Sequence, residues 1–163
     1  SINLSPAQFR DTNLSDFIRD SLCRYPLIAG TLELEITEGV LLSGYAHTDE
    51  ILEKLTDLGI CLAMDDFGSG YSSLSYLRRY PFKVLKIDRS FISDMTRDAG
   101  DRELVNAAIA MAHGLGIRVV AEGVETDDQR LLLKTLNCDY AQGYLFSKPL
   151  PAEDISAQLQ AHR

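Results

Sequence analysis

The chain has 163 residues, 45% of them hydrophobic, which is enough for one sizeable core and therefore for one domain or most of one. Its formal net charge is −8, with 24 acidic side chains against 16 basic ones, and this balance argues against binding to DNA or RNA polymers. No apolar run approaches the length of a membrane-spanning helix, and the cysteines form no CxxC pair. We therefore expect a cytoplasmic domain, whose parent protein could be membrane-anchored through another segment.

Short apolar strands alternate with amphipathic helical stretches along the chain, a pattern typical of a parallel α/β sheet or barrel. In chain order, strands are predicted at 2–4, 32–38, 60–66, 84–88, 118–122 and 139–142. Helices are predicted at 15–25, 48–58, 101–115 and 126–136, with a last helix beginning at 151. No low-complexity tract or linker interrupts this alternation, so the elements are expected to form one domain.

The helical stretches also predict which side chains face the core. In the first helix, Phe17 is expected to point inward with its apolar neighbours. In the long helix at 101–115, both Leu104 and Leu115 are assigned to the buried apolar stripe. Thr126 and Gln129 have the spacing of a capping box, which predicts the start of the following helix.

Polar side chains occur at or near the C-terminal ends of the six predicted strands. They are Asn3, Glu35, Asp65, Lys86, Glu122 and Gln142. Successive members are separated by 20 to 36 residues, which suits one β/α unit each, and in a β/α barrel these strand ends converge on the face that carries the active site. Strand alternation also puts Asp65 on the same face as the small residues Cys61 and Ala63. We therefore expect the polar side chains to meet in one place.

Four carboxylates would crowd together there: those of Glu35, Asp65, Asp66 and Glu122. Like charges at close range repel one another unless a cation neutralises them. Carboxylate and amide oxygens favour Mg²⁺ or Mn²⁺, and two such ions can promote the attack of water on a phosphodiester. Each residue alone has an ordinary alternative, because an Asp-Asp pair often caps a helix, a strand glutamate is often solvated, and Lys86 could be structural. Their common position favours the metal site.

Six segments in a fixed order carry specific motifs. They are Asn3-Leu4-Ser5, Glu35-Ile36-Thr37-Glu38, the segment from Asp65 to Leu74, Lys86-Ile87-Asp88, the segment from Ala121 to Thr126, and Gln142-Gly143-Tyr144. Together they resemble the EAL-domain phosphodiesterases, enzymes that open cyclic di-GMP to linear pGpG. Ser69 stands where the family usually has threonine in its DDFGTGYSSL segment. The resemblance extends from Asn3 through the last helix and implies a TIM-type (β/α) barrel.

The resemblance also implies a role for each motif residue. Two ions, Mg²⁺ or Mn²⁺, would be held by Asn3, Glu35, Asp65, Asp66 and Glu122, with Asp65 bridging them. The catalytic group would consist of Lys86, Asp65, Asp66, Glu38 and Gln142. Within it, Lys86 would contact the nucleophilic water, and Glu38 would anchor the loop at 66–74. Contacts with the substrate would come from Gln142, Glu125 and Tyr144, although an aromatic residue such as Tyr144 is more often a packing group.

One feature of the family does not occur in this chain. The EAL triplet, whose glutamate is a metal ligand, lies upstream of the NLS motif, and a barrel usually takes about 250 residues. We therefore expect residues 1–163 to be a single incomplete barrel domain that lacks about its first two units, with an incomplete metal site and impaired activity in isolation. The implied partners are cyclic di-GMP, a second copy in a homodimer, and sensory or diguanylate cyclase-like domains on the parent chain. The alternative function is a non-catalytic cyclic di-GMP receptor.

Overall fold

The structure is a computed structural model that describes residues 1–42, 47–68 and 74–155. Six strands form one sheet in which every neighbouring pair is parallel and the spatial order follows the chain order. The strands are β1 (Ile2–Leu4), β2 (Glu33–Thr37), β3 (Cys61–Phe67), β4 (Val84–Ile87), β5 (Arg118–Ala121) and β6 (Tyr140–Ala141). Parallel strands that follow one another in this order are the arrangement of a TIM-type β/α barrel, so the predicted fold class is confirmed.

Helices lie between successive strands in the described ranges. They are α1 (Leu14–Arg24), α2 (Glu38–Leu42), α3 (Thr48–Asp57), α4 (Leu74–Arg79), α5 (Arg89–Asp94), α6 (Ala99–Gly114) and α7 (Asp127–Thr135), with a 3₁₀ turn at Gln8–Arg10. The capping box of α7 is confirmed, because the Thr126 hydroxyl accepts from Gln129 N and the Gln129 side chain accepts from Thr126 N. Residues 152–155 are helical where the last helix was predicted, and its continuation lies outside the described residues.

The two faces of the sheet carry different side chains. One face presents large buried residues such as Ile36, Leu62 and Leu85 to the helices, and these belong to the main hydrophobic core. The other, which we call the inner face, carries the small cluster of Cys61, Ala63, Val84 and Val120. Because small side chains occupy the inner face, longer charged side chains farther along the same strands can converge over it.

Three side chains assigned to the core are in fact exposed, so those predictions were wrong. Phe17 is 69% exposed, because the buried stripe of α1 runs through Leu14 and Ile18. In α6, Leu104 is 55% exposed and Leu115 is 40% exposed. The buried stripe of α6 runs instead through its central small and β-branched residues: Val105, Ala108, Ile109 and Ala112. Among the described helices, none has both the length and the apolar composition needed to cross a bilayer.

Asp139 connects the end of α6 to β5. One of its carboxylate oxygens lies 2.8 Å from His113 Nε2 and also accepts a 2.8 Å hydrogen bond from the backbone nitrogen of Val119. Burial would raise the pKa of Asp139, but the contacts with His113 and with Val119 N outweigh it and hold that pKa below its usual value. A carboxylate with a lowered folded-state pKa stabilises the fold above the pKa of the unfolded chain and loses that contribution as pH falls.

We expect Asp139→Asn to lower the free energy of unfolding at pH 7 by about 2 kcal/mol, since charge-assisted hydrogen bonds are lost. The difference from the unmodified chain should shrink as pH falls below about 4, the ordinary aspartate value, and urea unfolding at several pH values would measure it. Asp57→Asn, at an exposed position at the end of α3, is the matched control and should have little effect. A loss at Asp139 that does not vary with pH would contradict the charge argument.

Candidate metal centre

Three carboxylates from neighbouring strand segments meet around the ammonium group of Lys86. Its Nζ lies 2.7 Å from Glu35 Oε2, 2.9 Å from Asp65 Oδ1 and 2.7 Å from Glu122 Oε1. Lys86 is only 4% exposed, and both Glu35 and Asp65 are buried. These four residues, which we call the Lys86 cluster, are four of the six that the sequence predicted to meet.

Parallel register brings the cluster together. Glu35 on β2 lies beside Ala63 on β3, so the Asp65 side chain is one inner-face position farther along the next strand. Lys86 on β4 pairs with Val120 on β5, and Glu122 follows β5 directly on the same face. Small neighbours at these positions leave room above the sheet for the longer charged side chains.

Asp66 joins this face through an irregularity in β3. The register between β3 and β4 shifts between Met64 and Phe67, and Asp66 has a left-handed backbone with φ 56°. In a regular strand Asp66 would point away from Asp65, but an extra residue in a bulge re-aims the side chain. Ligand oxygens of Asp65, Asp66 and Glu122 consequently lie within 4.8 Å of one another. Aspartate is among the residues that tolerate a left-handed backbone.

Gly68 follows this bulge, and its surroundings leave no room for a side chain. Its φ is 98°, and a Cβ placed on it would lie 2.5 Å from a ring carbon of Phe91 on α5. A side chain at this position would therefore be strained twice, through its backbone conformation and by the aromatic ring. The close contact holds the chain against α5 directly after β3 ends at Phe67.

Burial and the crowding of like charges shift the pKa values of the carboxylates at this centre. Burial raises the pKa of Glu122, and neighbouring Asp65 and Glu35 add to this against the opposing effect of Lys86. Burial likewise raises the pKa of Asp66, with Asp65 and Asp88 adding to the shift. Glu35 differs: burial alone would raise its pKa, but the hydrogen bonds from Lys86 and Ser1, together with the charges of Lys86 and the N-terminal ammonium group, outweigh burial and lower that pKa. The region around Asp66 and Glu122 therefore has an excess of negative charge that a cation would relieve.

The donor set fits a hard divalent cation. Asp65 Oδ1 is buried and, apart from its ion-pair contact with Lys86, accepts no hydrogen bond from the described residues. A ligand group that consists of carboxylate oxygens, with no histidine or cysteine in it, favours Mg²⁺ or Mn²⁺ over zinc. The group of Asp65, Asp66 and Glu122 is thus suited to holding such an ion.

Four other predicted residues form no side-chain hydrogen bond or ion pair with the Lys86 cluster in the described part of the chain: Asn3, Gln142, Glu125 and Tyr144. Asn3 pairs with Glu35 in the register of β1 and β2 and is exposed. Gln142 follows β6, where its backbone nitrogen donates to Ala121 O, and its side chain is also exposed. Glu125 is exposed in the segment before α7. Tyr144 is 59% exposed, so it is not a core packing group, and its ring lies 5.6 Å from Lys148 Nζ.

Glu38 is buried at the start of α2, directly after the strand that carries Glu35. Residues 69–73 of the loop that it was expected to anchor lie outside the described residues. Asp88, the last residue of the Lys86-Ile87-Asp88 motif, caps α5: its side chain accepts a hydrogen bond from Ser90 N at 2.9 Å. The usual signal for this role was available, since aspartate directly before a helix is a favoured N-cap.

The sequence predicted that Lys86 would meet the carboxylates but assigned the neutralisation of their charge to metal ions, so the ion pairs of Lys86 with three of them were not predicted. A signal was present, because Lys86 is the one charged residue within Val84–Ile87 and lies on the small-residue face of that strand. A lysine buried in a strand generally requires an anionic partner. Two of its three anionic partners, Asp65 and Glu122, lie on or directly after the adjacent strands β3 and β5, and the third, Glu35, lies one strand farther away on β2.

Comparison with known proteins agrees with this geometry. The EAL domain family matches residues 1–149. The cyclic di-GMP phosphodiesterase NbdA of Pseudomonas aeruginosa is 45% identical over 163 residues, which are 100% of this chain and 21% of NbdA. The chain spans about a fifth of the length of NbdA and of most of the other curated relatives that it matches.

Solved structures show the same fold. The EAL domain of Mycobacterium smegmatis DcpA has a TM-score of 0.92 and 38% identity, covering 99% of this chain and 72% of that one. Klebsiella pneumoniae BlrP1, in a complex with manganese and cyclic di-GMP, has a TM-score of 0.83 and 32% identity, covering 90% of this chain and 38% of BlrP1. The family match over most of the chain and these likenesses agree with the motifs and the sheet order. The chain belongs to the EAL domain family.

Proposed function

We propose that this chain supplies most of the active site of a metal-dependent phosphodiesterase that hydrolyses cyclic di-GMP to linear pGpG. The observation that carries the proposal is the close grouping of Asp65, Asp66 and Glu122, whose ligand oxygens lie within 4.8 Å of one another beside a buried lysine. Support comes from NbdA, which is named a cyclic di-GMP phosphodiesterase, and from BlrP1, which was solved with manganese and cyclic di-GMP.

The proposed cation ligands are the oxygen-bearing side chains around the centre: Asn3, Glu35, Asp65, Asp66 and Glu122. When bound, Mg²⁺ or Mn²⁺ would lower the pKa of a coordinated water and neutralise charge that develops on the phosphate. Asp65 is suited to a bridging role, because it belongs both to the Lys86 cluster and to the group that includes Asp66. Asn3 shares the face of Glu35 through the register of β1 and β2.

Other side chains are proposed to position the reactants. Lys86, as a buried cation among carboxylates, can orient the attacking water or stabilise negative charge on the phosphate. Gln142 directly follows β6, and Glu125 lies four residues after the end of the neighbouring strand β5. Both residues are proposed to contact the substrate. Tyr144 offers an exposed ring for contact with a base. Glu38 is proposed to hold the loop that follows Asp66.

The test is an assay for Mg²⁺- or Mn²⁺-dependent conversion of cyclic di-GMP to pGpG. It should compare the 163-residue chain with an extended chain that carries an upstream EAL segment. We expect turnover by the extended chain and at least about 100-fold less by the 163-residue chain, because one proposed ligand and part of the substrate contact would be missing.

Two outcomes would contradict this proposal in different ways. Tight binding of cyclic di-GMP by a folded extended chain, without turnover, would favour the receptor function over the enzyme. Equal turnover by the two chains would show that residues 1–163 contain everything that hydrolysis requires. Circular dichroism on both proteins would establish that they are folded, and chelation by EDTA would separate metal-dependent turnover from any background.

A further inference from the structure

The oxygens that surround Lys86 overlap with those suited to a cation. Lys86 Nζ contacts Glu35, Asp65 and Glu122 at 2.7–2.9 Å. Two of these three carboxylates, those of Asp65 and Glu122, also belong to the group whose oxygens could hold a metal ion. An ammonium group and a divalent ion would therefore draw on the same lone pairs, and their like charges would repel each other at short range.

The negative charges of the Lys86 cluster outnumber the positive ones. Three carboxylates share the ammonium group of Lys86, and Glu35 also interacts with the N-terminal ammonium group of Ser1, so at least one negative charge of the Lys86 cluster stays uncompensated, and Asp66 lies close by. Burial makes this imbalance costly, because the side chains of Lys86 and Glu35 are 5% and 7% exposed. One lysine is thus sufficient to draw the carboxylates together but not to neutralise them.

We propose that Lys86 is a positioning residue that holds the carboxylates in place for the cation and, by competing for Asp65 and Glu122, weakens cation binding. The proposal rests on the metal site of the proposed function. It predicts two effects of opposite sign when the ammonium group is removed. The metal-free protein should become less stable, because three carboxylates would be left without their cation, and the affinity for a divalent ion should increase.

The test is the substitution Lys86→Met in the 163-residue chain, which keeps an unbranched side chain only one atom shorter and removes its charge. In EDTA, we expect the Tm to fall by about 10 °C, the size that follows from breaking a buried charge pair in a protein of this length. In Mn²⁺, we expect the rise in Tm to be larger than for the unmodified chain. The Kd for Mn²⁺, measured by titration calorimetry, should be lower by about tenfold or more.

Two further variants separate this role from simple packing. Lys83→Met makes the same change at an exposed position just before β4 and should change neither the Tm in EDTA nor the Kd for Mn²⁺. Adding Glu122→Gln to Lys86→Met removes one of the unpaired charges and should restore part of the lost Tm. This double variant also provides a folded protein if Lys86→Met alone unfolds.

Each part of the proposal has a result that would overturn it. A metal-free Tm no lower for Lys86→Met than for Lys83→Met would exclude the holding role. Equal affinities for Mn²⁺ with and without Lys86 would exclude the competition while leaving the metal site intact. No binding of Mn²⁺ by any of these proteins would overturn the competition and the proposed metal site together, whereas the Tm measured in EDTA does not depend on the metal site.

Discussion

Asp65→Asn is expected to abolish cyclic di-GMP hydrolysis in the extended chain, lowering kcat by at least about 10³-fold. The substitution keeps the size of the side chain but removes a buried negative charge that the proposed cation site shares with the Lys86 cluster. Charge stabilisation by a bound metal ion contributes several kcal/mol to a phosphodiester transition state, and about 4 kcal/mol corresponds to this factor. The measurement is the rate of pGpG formation at saturating substrate and Mn²⁺.

The fold should largely survive this change, because Glu35 and Glu122 still pair with Lys86. Asp139→Asn is the matched control: it removes an aspartate charge just before β6, away from the strand ends that carry the centre. It should cost stability but leave kcat unchanged. Activity of the Asp65 variant within about threefold of the unmodified enzyme would refute the bridging role, and a lost circular dichroism spectrum would show that Asp65 acts mainly on folding.

The order of the strands could be predicted from the sequence because each strand is bounded by strong local signals. Apolar runs of suitable length, glycines after helices and the Thr126 and Gln129 capping box all act over a few residues, and the structure contains the elements that they indicate. The phase of the helix stripes was harder to predict. Leu104 is adjacent in sequence to buried Val105, and a shift of one position in the stripe decides which of them is buried.

The site was predictable in position but not in its internal contacts. Strand alternation and parallel register are regular, so they correctly indicated that Glu35, Asp65 and Lys86 share one face. The bulge at Asp66 breaks that regularity, and no local propensity distinguishes an aspartate with φ 56° from one in an extended strand. The pairing of Lys86 with three carboxylates depends on distances between strands that are far apart in sequence, which only the folded chain reveals.

At Gly143, we expect the addition of a single methyl group to cause the largest loss of stability. A Cβ at this position would overlap the backbone carbonyl oxygen and nitrogen of Val124. The same backbone is held by hydrogen bonds from Val124 N to Gln142 O at 3.0 Å and from Leu145 N to Val124 O at 3.0 Å. Neither segment can move aside without stretching those bonds, so there is no flexible side chain to absorb the clash.

We therefore expect Gly143→Ala to lower the free energy of unfolding by about 3 kcal/mol, and the Tm by about 8 °C. In the extended chain it should also reduce turnover, because Gln142 would be displaced together with its backbone bonds to Ala121 and Val124. Urea unfolding and the pGpG assay on the same preparation would measure the two effects.

Gly114→Ala provides the opposite case within the same chain. Gly114 is the last residue of α6, and a Cβ there would meet no atom within 4 Å. Alanine is favoured over glycine in a helix by up to about 1 kcal/mol, so this variant should be as stable as the unmodified chain or slightly more stable. If both variants lost stability equally, the cost would come from glycine replacement in general. A loss confined to Gly143 would show that the cost comes from the close approach of two backbones at the end of β6.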